Sequence, residues 1–258
     1  MSQQSKLKVG VLVDCLRLPV REGIIKTAEM GADGFQIFVT GGEMLVADMT
    51  RDARREFVKF YRDQGLTLSA LCADFGKNLG DPTQAAEVMP RLKEAVEQAL
   101  DLGTNVVTTH IGAVHGLNDP AWATMAPILE ELGNYASERR IVFATETGLE
   151  SGAALREVFD NLQTDGVRVN FDPANLVMMG FDHMQAVRDL SPYVAHTHAK
   201  DGKKGIGEFP LGEGDVNYPD YIALWRSLGY DGFYTIERET GDDRLGDIGR
   251  AIQLLRSL

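Results

Sequence analysis

The chain has 258 residues, 44% of them apolar, and its 38 acidic against 26 basic side chains give a net charge of −12. This composition supports a sizeable core and excludes a disordered chain. The acidity argues against a nucleic-acid partner, and no basic run exceeds the pair Lys203-Lys204. The opening residues MSQQSKLK are polar, and there is neither a membrane-length apolar run nor a signal-peptide pattern. The expectation is a cytoplasmic protein with no membrane partner. Cys15 and Cys72 lie on separate apolar segments and read as buried, reduced core residues.

After a polar extension over residues 1–7, eight strand-like segments alternate with helix-like ones. They span 8–14, 34–39, 66–75, 105–112, 141–148, 167–175, 194–201 and 233–239. Each starts as a short, β-branched, nearly all-apolar run, the pattern of a strand buried on both faces of a parallel sheet. Between them, residues 51–64 place Phe57, Phe60 and Tyr61 on one helical face. Residues 84–102 do the same with Val88, Leu92, Val96 and Leu100. Gly31, Gly65, Gly103 and Gly229 fall where a left-handed helix stop fits. Eight βα units over 8–258, without a linker rich in Pro, Gly or Ser, predict one α/β domain, a single (β/α)8 TIM barrel. The rival is an open doubly wound sheet, but its Gly-rich phosphate turn is missing from VDCLRLPV after the first strand.

Barrel active sites gather at the C-terminal strand ends. Four consecutive segments, the fifth to the eighth, end near Glu146, Asp172, His198 and Glu237. Three carboxylates and an imidazole in one mouth would oppose each other's ionisation, and a divalent cation removes that conflict. Three oxygens and one nitrogen suit Mn, Mg, Co, Fe or Zn. Plainer uses exist: a carboxylate ending a strand, such as Glu146, as a helix cap, and Asp172 before Pro173 as a turn former. Four such residues in one mouth favour the metal. In VAHTHAKD, alternation puts both histidines on one face. His198, nearer the mouth, is the ligand candidate. His196 is support one layer deeper, and Lys200 stands one layer higher, toward a substrate.

The segments ATETG (144–148), VNFDPAN (169–175), HTHAKD (196–201), LGEGDV (211–216) and GYDGFYTIERE (229–239) resemble the xylose-isomerase-like barrel superfamily, in particular its sugar phosphate isomerase/epimerase branch. The likeness covers nearly the whole chain. It implies one divalent metal, manganese foremost, held by Glu146, Asp172, His198 and Glu237. By resemblance to the ketose 3-epimerases, Glu146 and Glu237 are also the paired catalytic acid and base. A metal chelated by a carbonyl and its neighbouring hydroxyl stabilises an enediolate. One carboxylate then takes the proton beside the carbonyl and the other returns it on the opposite face. Inosose dehydratases, which the chain also resembles, start from the same abstraction. A lyase therefore stays open beside an isomerase or epimerase of a small carbohydrate or polyol. A non-catalytic carbohydrate-binding barrel and assembly into a homo-oligomer also stay open.

The chain departs from these relatives at Asn175, where the 3-epimerases carry histidine. An amide cannot exchange protons, so Asn175 is expected to bind a substrate hydroxyl or a metal-bound water. The superfamily's three-zinc DNA-repair endonucleases carry histidine there too, and an Asp-x-His pair that GKKGIGEFPLGEG (202–214) lacks. His110 resembles one of their ligands and is taken here as a substrate contact. Lys204 stands where the 3-epimerases have a substrate-contacting arginine. With the glycines around it, Lys204 is expected to clamp an anion or a sugar hydroxyl. Arg238 is expected in a structural salt bridge and Glu239 near the mouth. Asp14, Phe38, Asp74 and Phe75 are the candidates for specificity.

Overall fold

The computed structural model describes residues 6–45 and 49–258. Residues 1–5, most of the expected polar extension, lie outside the described residues, as do 46–48. Leu7, at the end of that extension, is buried. Eight parallel strands close into a barrel: β1 (Lys8–Leu12), β2 (Gly34–Phe38), β3 (Thr67–Cys72), β4 (Val106–Thr109), β5 (Val142–Glu146), β6 (Val167–Phe171), β7 (Val194–Ala199) and β10 (Phe233–Ile236). The short strands β8 (Asp201–Lys203) and β9 (Gly207–Phe209) form an antiparallel hairpin above β7. Closure runs through β1 and β10, with Lys8 opposite Phe233 and Gly10 opposite Thr235. That pairing excludes the open sheet.

The helices are α1 (Val20–Glu29), α2 (Arg51–Asp63), α3 (Pro82–Leu102), α4 (Pro120–Ser137), α5 (Gly152–Asn161), α6 (Pro173–Met179), α7 (His183–Leu190), α8 (Tyr218–Ser227) and α9 (Arg244–Ser257). Their ends follow local chemistry. Asp81 accepts the N–H groups of Thr83 and Gln84, Pro82 opens α3, and Gly103 closes it at φ 82°. The expected helix 84–102 thus gains two residues at its start, because the Asp-Pro pair is itself a start signal. Gly31, Gly65 and Gly229 also take positive φ, as expected. No helix among the described residues is long and apolar enough to cross a membrane.

Two corrections concern the strand ends. The strands stop short of the boundaries expected from sequence, so Asp14, Asp172 and Glu237 sit just beyond them, while Glu146 and His198 remain within β5 and β7. Asp14 lies in a 3-10 turn (Val13–Leu16) and Asp172 caps α6. The sixth unit carries two helices, α6 and α7, where one was expected. The main core lies between sheet and helices, where Val9, Val11, Phe35, Ile37 and Phe143 are fully buried. Inside the barrel, the small cluster of Ala70, Val106 and Ala144 is separate from that core. Buried Gln36, Thr108, Asn170, His196 and Thr235 also fill this interior. Gly10 makes room for them: a Cβ there would stand 2.8 Å from the Thr235 hydroxyl. A polar interior is unusual for this architecture, whose barrels are mostly filled by branched aliphatic side chains. Its reason is found at the mouth.

Candidate metal centre and active site

Glu146 is the last residue of β5, Asp172 caps α6, His198 lies in β7, and Glu237 follows β10 with its N–H bound to Ala199 O at 3.2 Å. One ligand atom from each of the four lies within 4.8 Å of all the others. His198 Nδ1 stands 3.0 Å from Glu237 Oε2, 3.6 Å from Glu146 Oε1 and 3.7 Å from Asp172 Oδ2. The two oxygens of Asp172 are placed differently. Oδ1 accepts the N–H groups of Ala174 at 2.7 Å and Asn175 at 3.0 Å, which starts the helix. Oδ2 faces the cluster.

Asp172 Oδ2 and His198 Nδ1 are buried without a hydrogen-bond partner. A buried polar atom left so costs about 1–3 kcal/mol, and more when charged. A divalent cation held by three carboxylate oxygens and one imidazole nitrogen would satisfy both atoms at once, so the residues present fit such an ion.

His198 is oriented from across the barrel. Its Nε2 lies 2.9 Å from Gln36 Oε1, and Gln36 Nε2 donates to Thr108 Oγ1 at 2.8 Å. An amide oxygen only accepts, so Nε2 carries the proton and the Nδ1 lone pair is left for the cluster. Without a metal, burial opposes a charge on His198, but Glu237 and Glu146 outweigh it and hold the imidazolium well above its ordinary range. Burial likewise opposes ionisation of Glu237, but His198 and Lys200 outweigh it and keep the carboxyl low. Glu146 is lowered in the same way by His198 and His110 against burial, whereas burial wins at Asp172 and raises it.

Lys200 was expected to face a substrate. It is buried and turned into the carboxylates instead, with Nζ 3.0 Å from Glu237 Oε2, 2.6 Å from Glu239 Oε2 and 3.8 Å from Asp172 Oδ2. Glu239 is therefore near the mouth, as expected. Asn175 was expected to meet a substrate hydroxyl or a water. Its Nδ2 donates to Glu146 Oε1 at 2.9 Å, while Asn170 Nδ2 donates to Glu146 Oε2 at 3.1 Å. Both oxygens of Glu146 are thus held by neutral donors.

His110 Nδ1 bonds Asp74 Oδ2 at 2.8 Å, and Nε2 lies 3.7 Å from Glu146 Oε1. The Glu146 charge pushes His110 up to about 9, against burial and with help from Asp74. His110 and Asn175 line a cavity of about 200 Å³ with Thr147, Gly148, Leu149, Met178 and Met179.

Lys204 does not line this cavity. It is exposed in the β8–β9 turn, and the end of its side chain, Cε and Nζ, lies over Gly180 at the end of α6. The glycine loop is no open anion clamp either. The backbone N–H groups of Gly202, Gly212, Gly214 and Val216 all donate to the Asp201 carboxylate, at 2.9–3.1 Å. Arg238 forms its expected salt bridges, to Glu208 at 2.8 Å and Asp247 at 2.9 Å. His196 is the expected support, bonded to Asn170 Oδ1 at 2.8 Å and Thr235 Oγ1 at 2.9 Å. Asp14 accepts the Phe38 N–H and shapes the loops after β1 and β2.

Gln36 and Asn170 were missed from sequence. A signal existed: each is an uncharged amide inside an otherwise apolar strand, in GFQIF and VRVNF.

Residues 24–258 match the family model described as Xylose isomerase-like TIM barrel. The 2-epi-5-epi-valiolone 7-phosphate 2-epimerase of Actinoplanes sp. is 28% identical over 196 residues, covering 73% of this chain and 72% of that one. The inosose dehydratase of Clostridium perfringens is 24% identical over 165 residues, 55% of this chain and 56% of the dehydratase. The crystal structure of a xylose isomerase domain protein from Planctomyces limnophilus superposes with a TM-score of 0.86 at 23% identity, covering 99% of this chain and 97% of that one. At that identity the last likeness shows the fold alone. The barrel, the clustered carboxylates and histidine at its mouth and the match over most of the chain agree: the protein belongs to the xylose isomerase-like TIM barrel family.

Proposed function

We propose that the protein is a divalent-metal-dependent isomerase or epimerase of a small keto-sugar or related polyol, acting by proton removal beside a carbonyl. The observation that carries this reading is the four-residue cluster with two buried ligand atoms, Asp172 Oδ2 and His198 Nδ1, left without partners. Bound there, a divalent cation, manganese foremost, supplies Lewis acidity toward the carbonyl oxygen next to the carbon that loses its proton.

The chain's own residues do the rest. Glu146 and Glu237 stand on strands separated by β6 and β7 around the barrel, so they approach a substrate from different sides. Asn170 and Asn175 hold Glu146, and Lys200 holds Glu237, as ionised carboxylates ready to accept a proton. Removal of the proton by one leaves an enediolate. Return by the other to the opposite face of the same carbon inverts its configuration, and return to the neighbouring carbon isomerises the sugar. His110, protonated and beside Glu146 in the cavity lining, can donate to a substrate oxygen.

The likeness to an inosose dehydratase favours a second reading on the same site. In it, the same abstraction is followed by loss of a hydroxyl from the next carbon. Incubating the metal-loaded protein with keto-sugars in D2O tests the reading. Deuterium is expected on the carbon beside the carbonyl, with the epimer, the isomer or an unsaturated product telling the reactions apart. Sugar binding without any deuterium would leave a carbohydrate-binding barrel and overturn the reading.

A further inference from the structure

The cavity of about 200 Å³ beside the cluster has a divided lining. His110, Thr147 and Asn175 form its polar part, and two of them touch Glu146 or approach it. Leu149, Met178 and Met179 form its apolar part. Leu149 and Met179, both in this lining, remain 44% and 58% exposed. The two methionines are the last residues of α6, the helix that Asp172 starts. One element thus fixes both a ligand of the cluster and the apolar lining. The hairpin holds it in place, with the Gly205 N–H bound to Met178 O at 3.1 Å.

A phosphate would find little here. Among the described residues, no lysine or arginine lines the cavity. Lys200 is committed to Glu237 and Glu239, and His110 gives Nδ1 to Asp74 and keeps Nε2 beside Glu146. Barrels often seat phosphate on backbone N–H groups of the loops after the seventh and eighth strands. In this chain the N–H groups of Gly212, Gly214 and Val216 are taken by Asp201, a built-in anion in that place. A substrate phosphate would bring a charge of about −2 to a carboxylate-rich mouth whose lining offers it one histidine, already paired with Asp74 and beside Glu146.

We propose that the substrate is an unphosphorylated keto-sugar whose far end is apolar, a deoxy or alkyl-bearing carbon seated against Leu149, Met178 and Met179. This rests on the reading of the site as a keto-sugar isomerase or epimerase. Removing a hydroxyl at that end spares its desolvation, and the bare carbon gains contact with thioether and leucine side chains.

The test compares ketohexoses across their stereoisomers, each as the parent sugar, the 6-deoxy form and the 6-phosphate. Calorimetric affinity and solvent-deuterium exchange are read on the same metal-loaded protein. In the best-bound series the 6-deoxy form is expected to bind about ten-fold or more tighter than the 6-phosphate, the scale of discrimination an apolar pocket gives. Met179→Lys, at an exposed position that spares the fold, is expected to narrow that ratio. Tightest binding of the 6-phosphate, or a ratio that Met179→Lys leaves unchanged, would overturn the inference. The affinity order without deuterium exchange would instead reject the isomerase or epimerase reading and leave the apolar end standing. No affinity for any form would reject both.

Discussion

The two sides of the barrel mouth are built from different chemistry. Strands β5, β6, β7 and β10 bring the charge: Glu146, Asp172, His198 and Glu237, with Lys200 among them. Strands β2, β3 and β4 bring mostly neutral groups, Gln36, Ser69 and Thr108, which reach across the interior. The charged side supplies attraction for a cation. The neutral side supplies choice, because Gln36 fixes which nitrogen of His198 is free although the two residues are 162 positions apart in the chain. This division accounts for the polar barrel interior, since each amide and hydroxyl there has a partner that leads up to the site.

Changes on the charged side should act most strongly. Glu146→Gln and Glu237→Gln are each expected to lower solvent-deuterium exchange by roughly 10²–10⁴-fold, the usual contribution of a positioned acid or base. Exchange at the parent rate in either variant would remove that residue from catalysis. Asp172 allows a finer cut, because its two oxygens have separate tasks. Asp172→Asn keeps an oxygen for the α6 cap and loses the anionic ligand. It is expected to cost metal affinity, read by calorimetry, while stability of the metal-free protein to urea holds. Asp172→Ala should in addition lose the cap, about 0.5–2 kcal/mol. If both variants unfold alike, the separation of roles is wrong.

On the neutral side the effect should be smaller but of the same kind. Gln36→Ala leaves every charge in place and frees His198 to turn or to exchange its tautomer. Loss of such an outer support typically costs about 10–100-fold in metal affinity, and that is the expected fall. An unchanged affinity would mean that the four ligands orient themselves, and the comparison between the two sides would collapse.

The same contrast explains what could be read from the sequence. The eight-fold alternation was legible because strands buried on both faces leave continuous apolar runs, and helix stops leave glycines such as Gly103. The charged cluster was legible because a carboxylate at the end of an apolar strand is too costly to bury without a reason. The neutral residues were not, since an amide such as Gln36 is tolerated in many settings and its meaning depends on a partner most of the chain away. Lys200 and Asn175 show the same limit from the other direction. Both were singled out as site residues, but alternation gave Lys200 a substrate and the place of a relative's histidine gave Asn175 one, whereas Glu239 and Glu146, from other parts of the barrel, take their donors. The glycine loop after β7 read as an anion site for a sound reason. Its N–H groups do hold an anion, and that anion is the protein's own Asp201.

The smallest effect probes the place where the division is broken, the His110–Asp74 pair on the neutral side. In the metal-free protein His110 is pushed up to about 9, chiefly by the Glu146 charge across the mouth. A histidine raised above its unfolded value of about 6.5 contributes stability that is fully present below that pH and is lost as pH rises through about 9. With its side chain 40% exposed, solvent screening reduces this contribution to the ~0–1 kcal/mol of a surface pair. Urea unfolding of the metal-free protein should therefore show a loss of stability between about pH 6.5 and 9 that is shallower in His110→Gln, the remainder belonging to His198, which is raised as well. Glu146→Gln and Asp74→Asn should each lower the His110 midpoint, followed by NMR, because both carboxylates raise it. A midpoint that Glu146→Gln leaves in place would put the control of His110 on its own side of the mouth, and the two sides would then be electrostatically independent.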